Sequence, residues 1–388
     1  MGEKAGVWEI SRNRKILKNL DYTLILAAMA IIALGLVTVT SATQVTSLPG
    51  EAGFGFLWKQ LLGITLGVTA FGFFLFWRYE ELARYTRLLY VVNLALLLAV
   101  FAVGHSAGGA RRWIQLGPLM FQPSEFAKLV VIIGLAVFLS EREGQLSRFR
   151  DLLPAFAYVG VPMLLILAQP DLGTALVFIA ITLGMLFVAG ARPLLLGGLT
   201  LAGLSGMVLW IWAHLNYGIW IPLKSYQITR LTIFLDPWSD WHKDGYHMIQ
   251  SQIAIGAGGL WGRGLFSGTQ NQLNFLPEQH TDFIFSVLAE ELGFVGVVFL
   301  LTLYFVVLYR GLRIAGQSKD LCGTLMATGV VSMLAFHILT NVGMAAGIMP
   351  VTGITLPLFS YGPSSMMFTL AALGLLCNVW VRRQTIVF

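Results

Sequence analysis

Residues 21–41 read DYTLILAAMAIIALGLVTVTS, and Asp21 is the one charged residue in this stretch. About 20 predominantly apolar residues in a helix cross the ~30 Å hydrocarbon core of a bilayer. The stretch is therefore long and apolar enough to span a membrane. It follows a segment of twenty residues and lacks the small-residue cleavage site of a signal peptide, so we expect it to be a retained helix.

Nine further stretches have the same character, and the expected fold is an all-α polytopic membrane protein with ten transmembrane helices. The composition agrees, because 57% of the residues are hydrophobic and only 11% are charged, against about 25% charged in ordinary soluble domains. Too few charges remain to cover a water-soluble surface, which excludes a cytosolic enzyme, a coiled coil and a disordered protein. The predicted spans are 21–41, 57–77, 86–104, 124–140, 152–168, 172–190, 194–213, 283–309, 321–347 and 364–381.

The Lys and Arg residues alternate between the two sides of this predicted bundle. Of the 25, 17 lie on the side that holds both termini, six lie in the opposite segments, and Lys59 and Lys128 lie at or inside spans. Because positive charge collects on the cytoplasmic side, we predict cytoplasmic termini and a single integral-membrane domain over 1–388. Residues 1–20 are then a cytoplasmic segment, and 214–282 form a large extracytoplasmic loop between helices 7 and 8. The net charge of +6 follows from topology and indicates no nucleic-acid partner.

Acidic residues and histidines are concentrated in the loop 214–282, which holds four of the six histidines. Asp236, Asp240 and Asp244 recur every four residues beside His242 and His247, and such groups could ligate a hard divalent cation. The alternative is an amphipathic helix on the membrane surface, starting at Asp236. We favour the helix because the spacing matches no established metal motif.

The same loop contains a glycine-rich stretch, GAGGLWGRG (256–264). Glycines let backbone N–H groups approach a phosphate, and Arg263 could add charge-assisted hydrogen bonds. No predicted strand precedes the stretch and no Walker lysine follows it, which argues against a nucleotide site. A flexible loop explains the glycines equally well.

The stretch LPEQHTDFIFSVLAEELG (276–293) leads into the eighth span. Thr281 is the expected N-cap, which places Asp282 in the first turn, where the helix dipole favours its ionised form. Glu290 lies roughly 12 Å further along the axis, whereas paired hydrolase carboxylates are about 5–9.5 Å apart. Asp282 therefore suits the role of a lone general base, with support of the helix start as the alternative.

A second polar group opens the fourth span, where RRW (111–113) precedes FQPSEFAK (121–128). Ser124 is the expected N-cap, and Glu125 and Lys128 are three residues apart and can pair on one helix face. An ionisable residue inside a span marks an internal cavity or pathway. Structural pairing and substrate contact both remain open for this group.

Two uncharged or weakly charged segments complete the polar inventory. Asp171 in QPDLG (169–173) is the expected N-cap of the sixth span. Residues 350–363 are uncharged and broken by proline and glycine, and Ser364 follows them. Irregular backbone at membrane depth must be buried in protein or line a cavity, so we interpret this segment as a cavity wall.

Taken together, these motifs resemble the SEDS family (shape, elongation, division and sporulation proteins). The likeness covers nearly the whole chain in the family's motif order. Residues 268–270 (GTQ) and the short N-terminus are more similar to the rod-shape branch, RodA, than to the division branch, FtsW. The stretches that carry the resemblance are RRWIQLG (111–117), FQPSEFAK (121–128), QPDLG (169–173), 256–293 and PLFSYGPSS (357–365).

The resemblance implies a peptidoglycan glycosyltransferase that polymerises lipid II into glycan strands at the outer face of the bacterial cytoplasmic (inner) membrane, for cell elongation and rod shape. It implies as partners a class B penicillin-binding protein, which is a transpeptidase, and elongation-complex membrane proteins. The family's catalytic Asp matches Asp282. Its Glu and Lys match Glu125 and Lys128, and its Arg-Trp loop matches Arg112 and Trp113.

Such a reaction needs a base for the acceptor hydroxyl and positive charge for the lipid pyrophosphate that leaves. We assign the base to Asp282 and expect inversion at the anomeric carbon. The charge comes from basic side chains or from a divalent cation, Mg²⁺ or Mn²⁺. The residues expected to bind substrate are Arg111, Arg112, Trp113, Glu125, Lys128, Arg263, Glu278, His280, Ser360, Tyr361 and Ser364.

Two other functions compete with this one. A lipid II flippase or transporter would explain the ionisable residues Lys128, Glu290 and Glu291 within spans, but the sequence shows no internal repeat of the kind common in transporters. A structural scaffold of the cell-wall synthesis complex explains the spans and leaves the acidic and basic residues of the outer loop without a role.

Overall fold

The computed structural model describes residues 16–44, 54–107, 110–117, 119–221, 225–240, 244–273, 275 and 278–383. The described chain is mainly helical, with a small sheet between the fourth and fifth helices. The helices are α1 (Tyr22–Gln44), α2 (Phe54–Phe76), α3 (Tyr79–Arg84), α4 (Thr86–Val103), α5 (Pro123–Ser140), α6 (Phe149–Ala168), α7 (Leu172–Val188), α8 (Pro193–Tyr217), α9 (Ser225–Leu235), α10 (Asp244–Gly258), α11 (Thr269–Gln272), α12 (Ile284–Gly316), α13 (Leu321–Ala345) and α14 (Pro363–Val381).

Each of the ten predicted spans coincides with one of these helices. Within the described residues, nine helices are long and apolar enough to cross a membrane, and α7 is apolar but only 17 residues long. The polytopic helical fold is therefore confirmed. The count of ten crossings and the side on which the termini lie remain predictions.

Three helices form the centre of the bundle. In the most apolar 18-residue stretch of each helix, 78% of the residues of α5, 67% of those of α13 and 78% of those of α14 are buried, against 6% of those of α8. Glycines bring α2 against α14 without intervening side chains, since a Cβ at Gly63 would lie 2.6 Å from Pro363 Cα. This close packing holds the start of α14, and the segment before it, against α1 and α2.

A three-stranded antiparallel sheet departs from the all-α prediction. Its strands are β1 (His105–Ala107), β2 (Ala110–Leu116) and β3 (Leu119–Phe121), in the order β1-β2-β3. Trp113 pairs with His105 and Ile114 pairs with Phe121. The strands are too short for a clear alternating pattern, and their pairing satisfies backbone groups between two spans.

The loop 214–282 is docked on the bundle. The expectation of one helix starting at Asp236 was wrong, because the Asp236 side chain accepts a hydrogen bond from Trp238 N and only a 3₁₀ turn, Pro237–Asp240, follows. A separate helix, α10, then packs against α12 and α13, where Ser251 Oγ lies 2.6 Å from Ser286 Oγ. The side chains of Asp240, His242 and Asp244 lie outside the described residues.

The helix α12 is interrupted at Gly293, which has φ 64° and ψ −163°. The glycine-rich stretch 256–264 satisfies the backbone groups at this break. Arg263 N donates to Glu290 O at 2.9 Å, and Phe294 N donates to Gly259 O at 2.9 Å. The glycines are required for this close approach, since a Cβ at Gly262 would lie 2.1 Å from Glu291 O.

Candidate active site

Several helix starts and the small sheet surround one cavity of about 820 Å³. The starts of α5, α7 and α14 and the turn before α12 contribute to its wall. Eight of the twelve predicted site residues line this cavity. They are Arg112, Trp113, Glu125, Glu278, His280, Asp282, Tyr361 and Ser364.

Asp282 lies in the turn that precedes α12. Its N–H donates to Glu278 O at 3.1 Å, and Asn341 Nδ2 donates to its main-chain oxygen at 3.0 Å. The predicted helix start at Thr281 was wrong, because the N-cap position belongs to Phe283 and the helix begins at Ile284. The residues around Asp282 therefore form a separate turn that presents its carboxylate to the cavity.

The electrostatic surroundings of Asp282 oppose ionisation. Burial, and then the negative charge of Glu278, raise the pKa of Asp282 to about 6, while Arg230 acts in the opposite direction. Asp282 was expected in the first turn, where the helix dipole favours the ionised carboxylate, but it precedes α12 and burial raises its pKa. A carboxyl group whose pKa lies near the working pH is well suited to general base catalysis. Burial also lowers the pKa of His280, which favours the neutral ring at pH 7.

Two cations that the prediction did not include, Arg230 and Lys59, lie in the cavity wall. Arg230 projects from α9 within the segment 214–282, and Lys59 lies near the start of α2. The signal that marks Arg230 in the sequence is its location among the few basic residues opposite the termini, where the positive-inside rule does not explain it.

Arg112 is oriented by the turn between α6 and α7. Its Nε donates to Gln169 O at 3.3 Å, its Nη2 donates to Pro170 O, and its Nη1 lies 3.7 Å from Asp171 Oδ1. The predicted N-cap role of Asp171 is confirmed, since Thr174 N donates to Asp171 Oδ1 at 3.2 Å. Asp171 also lines the cavity, so the cap and the guanidinium are organised together.

The predicted pairing of Glu125 with Lys128 is confirmed, with Lys128 Nζ 2.7 Å from Glu125 Oε1. Glu125 faces the cavity, whereas Lys128 is buried behind it, 3.2 Å from Nε2 of His337. The N-cap of α5 is Gln122 with Pro123 in the first turn, so the prediction of Ser124 as N-cap was wrong. Proline suits the first turn because it has no N–H to satisfy.

Residues 353–355 and 361–363 of the segment 350–363 line the cavity, so the predicted cavity wall is confirmed. Tyr361 and His280 lie together there, with ring centroids 5.6 Å apart, and Tyr361 N donates to His280 O at 2.9 Å. Gln60 on α2 fixes this wall, because its side chain accepts from Gly362 N at 3.1 Å and donates to Ser360 O.

Besides Lys128, three predicted substrate contacts do not line the cavity. Arg111 is exposed on β2. Ser360 is buried, and its hydroxyl accepts from Leu356 N at 2.8 Å, so it supports the turn. The Arg263 guanidinium binds Ala257 O and Thr269 Oγ1 in the loop that seals the α12 break. Ser360 and Arg263 are thus engaged in structural hydrogen bonds, and Arg111 lies outside the cavity lining.

The carboxylates of Glu290 and Glu291 on α12 do not serve the cavity either. Glu290 accepts from Thr269 Oγ1 and from Gln270 N, and Glu291 accepts from Ser41 Oγ and Asn271 Nδ2. Neither lines the cavity. Among the residues described, no group of three or more His, Cys, Asp or Glu is placed to hold a metal ion.

The chain matches the sequence model of the cell cycle protein family of FtsW, RodA and SpoVE over residues 21–385. It is 41% identical to stage V sporulation protein E of Bacillus subtilis (strain 168) over 92% of this chain and 96% of that protein. It is 41% identical to peptidoglycan glycosyltransferase MrdB of Escherichia coli (strain K12), over 79% of this chain and 80% of that one.

Two solved structures share this fold. One is described as "Structural coordination of polymerization and crosslinking by a peptidoglycan synthase complex", with TM-score 0.77 and 37% identity, covering 94% of this chain and 98% of that chain. The other is the rod shape determining protein RodA of Thermus thermophilus, with TM-score 0.67, 34% identity and coverage of 94% and 98%. The chain therefore belongs to the SEDS family, the cell cycle proteins FtsW, RodA and SpoVE.

Proposed function

We propose that the chain is a peptidoglycan glycosyltransferase that polymerises lipid II, with Asp282 as the general base. The observation that carries the proposal is the location of Asp282 in one cavity with Arg112 and Arg230, where burial raises the pKa of the carboxyl group to about 6. Relatives of 41% and 37% identity that are named peptidoglycan glycosyltransferases support the substrate class.

The reaction is a single displacement. A hydroxyl of the acceptor saccharide attacks the anomeric carbon of the lipid-linked donor, and its proton passes to the Asp282 carboxylate. The bond between that carbon and the pyrophosphate oxygen breaks, and the electron pair stays on the lipid pyrophosphate. Attack from the face opposite the leaving group inverts the anomeric centre.

The cavity supplies the charge that this leaving group needs. Arg112 is held in place by the α6–α7 turn, and Arg230 lies near enough to Asp282 to lower its pKa. Fixed cations stabilise charge that grows in the transition state without reorganisation of solvent. The membrane restricts donor and acceptor to two dimensions and so reduces the entropy that binding must overcome.

A divalent cation, Mg²⁺ or Mn²⁺, is the alternative source of positive charge. The described residues offer no three-ligand group, and we derive no step through a metal ion. Removal of divalent ions with EDTA, followed by readdition of each ion, tests whether polymerisation depends on it.

The cellular role that we propose is strand synthesis for elongation and rod shape, beside a class B penicillin-binding protein and the membrane proteins of the elongation complex. The structurally similar peptidoglycan synthase complex, which is described as coordinating polymerisation and crosslinking, supports a transpeptidase partner. Relatives from the sporulation, rod-shape and division branches have similar identity to this chain. Depletion of the protein in a bacterium, followed by complementation and inspection of cell shape, would separate these roles.

Purified protein incubated with labelled lipid II, alone and with its transpeptidase partner, tests the activity. Glycan chains from the wild-type protein, and none from Asp282→Asn, are the expected result. Lipid II that crosses vesicle membranes without forming polymer would identify a flippase. Neither polymer nor transport would leave a scaffold role.

A further inference from the structure

One face of α13 contacts both the Glu125–Lys128 pair and the turn that carries Asp282. His337 and Asn341 are four residues apart on this helix, so they lie on the same face. Their side chains bind two consecutive carbonyls of the cavity wall, Thr355 O and Ile354 O, at 3.3 and 2.8 Å. The segment 353–355, which lines the cavity, is thus attached to α13 at two adjacent points.

Asn341 joins this segment to the turn that carries the base. Its Nδ2 donates to Ile354 O and, at 3.0 Å, to the main-chain oxygen of Asp282. The side chain is fully buried. Two carbonyl partners require the amide nitrogen and not its oxygen to face them, so both hydrogens of the amide are used.

His337 joins the same segment to the Glu125–Lys128 pair. A lysine ammonium only donates hydrogen bonds, so His337 Nε2 must accept from Lys128 Nζ across their 3.2 Å separation. The ring is then neutral with its hydrogen on Nδ1, and that hydrogen is directed to Thr355 O. The contacts therefore define the tautomer of His337.

Gly353, which precedes the two anchored carbonyls, lies close to the base. Gly353 has φ 72°, and a Cβ placed there would lie 3.6 Å from Asp282 Oδ2 and 3.9 Å from an Arg230 nitrogen. A displacement of this segment would change the space around the carboxylate. The two anchors on α13 set its location relative to Lys128 on one side and Asp282 on the other.

We infer that His337 and Asn341 are positioning residues that hold Asp282 and the Glu125–Lys128 pair at a defined separation across the cavity. The inference rests on the proposed glycosyltransferase function. Neither residue was among the predicted site residues. Misplacement of a reacting group by about 1 Å can lower a rate about a hundredfold, so loss of either anchor is expected to lower kcat without a comparable change in KM.

The test compares Asn341→Leu and His337→Phe with the wild-type protein, in the lipid II assay over a range of substrate concentrations and pH values. Each variant keeps the size of the side chain and removes its hydrogen bonds. We expect kcat per folded molecule to fall about tenfold or more, KM to change less than about threefold, and the acidic limb of the pH profile to stay in place. His337→Gln, which can accept from Lys128 and donate to Thr355 O, should recover most of the rate.

Asn378 on α14 provides a matched control. It is buried, and its Nδ2 donates to two carbonyls, Phe74 O and Trp77 O, at the opposite end of α2. Asn378→Leu should lower thermal stability and leave kcat per folded molecule unchanged. If Asn341→Leu does not fold, Asn341→Ser, which keeps one donor, takes its place with a smaller loss of kcat expected.

The outcomes separate the inference from the function on which it rests. Wild-type protein that makes no polymer removes the proposed function. Active wild-type protein, together with His337→Phe and Asn341→Leu or Asn341→Ser variants that lose stability but keep kcat per folded molecule, overturns the positioning role. A loss of kcat in Asn378→Leu equal to that in Asn341→Leu would overturn it as well.

Discussion

Glu278 and Asp282 lie four residues apart in the turn before α12, and the negative charge of Glu278 adds to burial in raising the pKa of Asp282 to about 6. A general base acts in its ionised form, so polymerase activity should rise with pH and reach half of its plateau near pH 6. The measurement is the initial rate of lipid II polymerisation between pH 4.5 and 8.

Glu278→Gln should move this acidic limb to lower pH. Removal of the negative charge makes ionisation of Asp282 easier and lowers its pKa, so the base remains active in more acidic solution. Arg230→Gln removes a positive charge that lowers the pKa, and should shift the limb to higher pH. Opposite shifts in the two variants identify Asp282 as the titrating group, and an unchanged limb in both would exclude it.

Removal of one partner from the Glu125–Lys128 pair should destabilise the protein strongly. Both side chains are buried, and an uncompensated buried charge costs about 3–5 kcal/mol. Lys128→Met should therefore lower the melting temperature far more than the double variant Glu125→Gln/Lys128→Met does. A double-mutant cycle measures the coupling, and additive losses would contradict the buried pair.

The orientation of Arg112 should matter as much as its charge. Lysine cannot reproduce the fork that reaches Gln169 O, Pro170 O and Asp171 together. Arg112→Lys should raise the KM for lipid II, with little loss of stability. Asp171→Ala should also raise KM and, as a lost N-cap, destabilise α7 by about 1 kcal/mol. Unchanged KM in Arg112→Lys would show that Arg112 serves the turn and not the substrate.

The break in α12 should not tolerate a side chain at Gly293. A Cβ there would lie 2.2 Å from Gly262 N, in a left-handed conformation that disfavours alanine. Gly293→Ala should destabilise the protein by about 1–3 kcal/mol and release the loop 258–264. Gly72→Ala, with open space around its Cβ, is the matched control and should be neutral or slightly stabilising. Equal melting temperatures of the two variants would contradict the packing described.

The cavity should open on the outer side of the membrane. In a chain with Cys322 and Cys377 replaced by alanine, Trp261→Cys should react with an impermeant thiol reagent in intact cells, because Trp261 is 80% exposed. Gly144→Cys, in a turn between α5 and α6, should react only after the membrane is opened. The reverse labelling pattern would show that the loop with Trp261 lies on the cytoplasmic side.

The sequence by itself determined the features that depend on neighbouring residues and on the bilayer. The length and apolarity of 21–41 and its nine counterparts located the helices, because a span needs a fixed number of apolar residues. The cap at Asp171 and the Glu125–Lys128 pair follow from spacings of three residues, which place two groups on one face or turn. Asp282 was a candidate base from its own stretch of sequence, with support of the helix start as the alternative, and resemblance to the family's motifs implied its catalytic role.

Tertiary structure alone decided what depends on residues far apart in the sequence. Burial and Glu278 reversed the expected sign of the pKa shift at Asp282, and Arg230 entered the cavity through the fold of α9. The glycines of 256–264 serve a helix break some thirty residues later, and Asn341 reaches Asp282 across 59 positions. Such contacts depend on how the helices pack. Local patterns in the sequence do not indicate which distant groups will share a site of low dielectric constant.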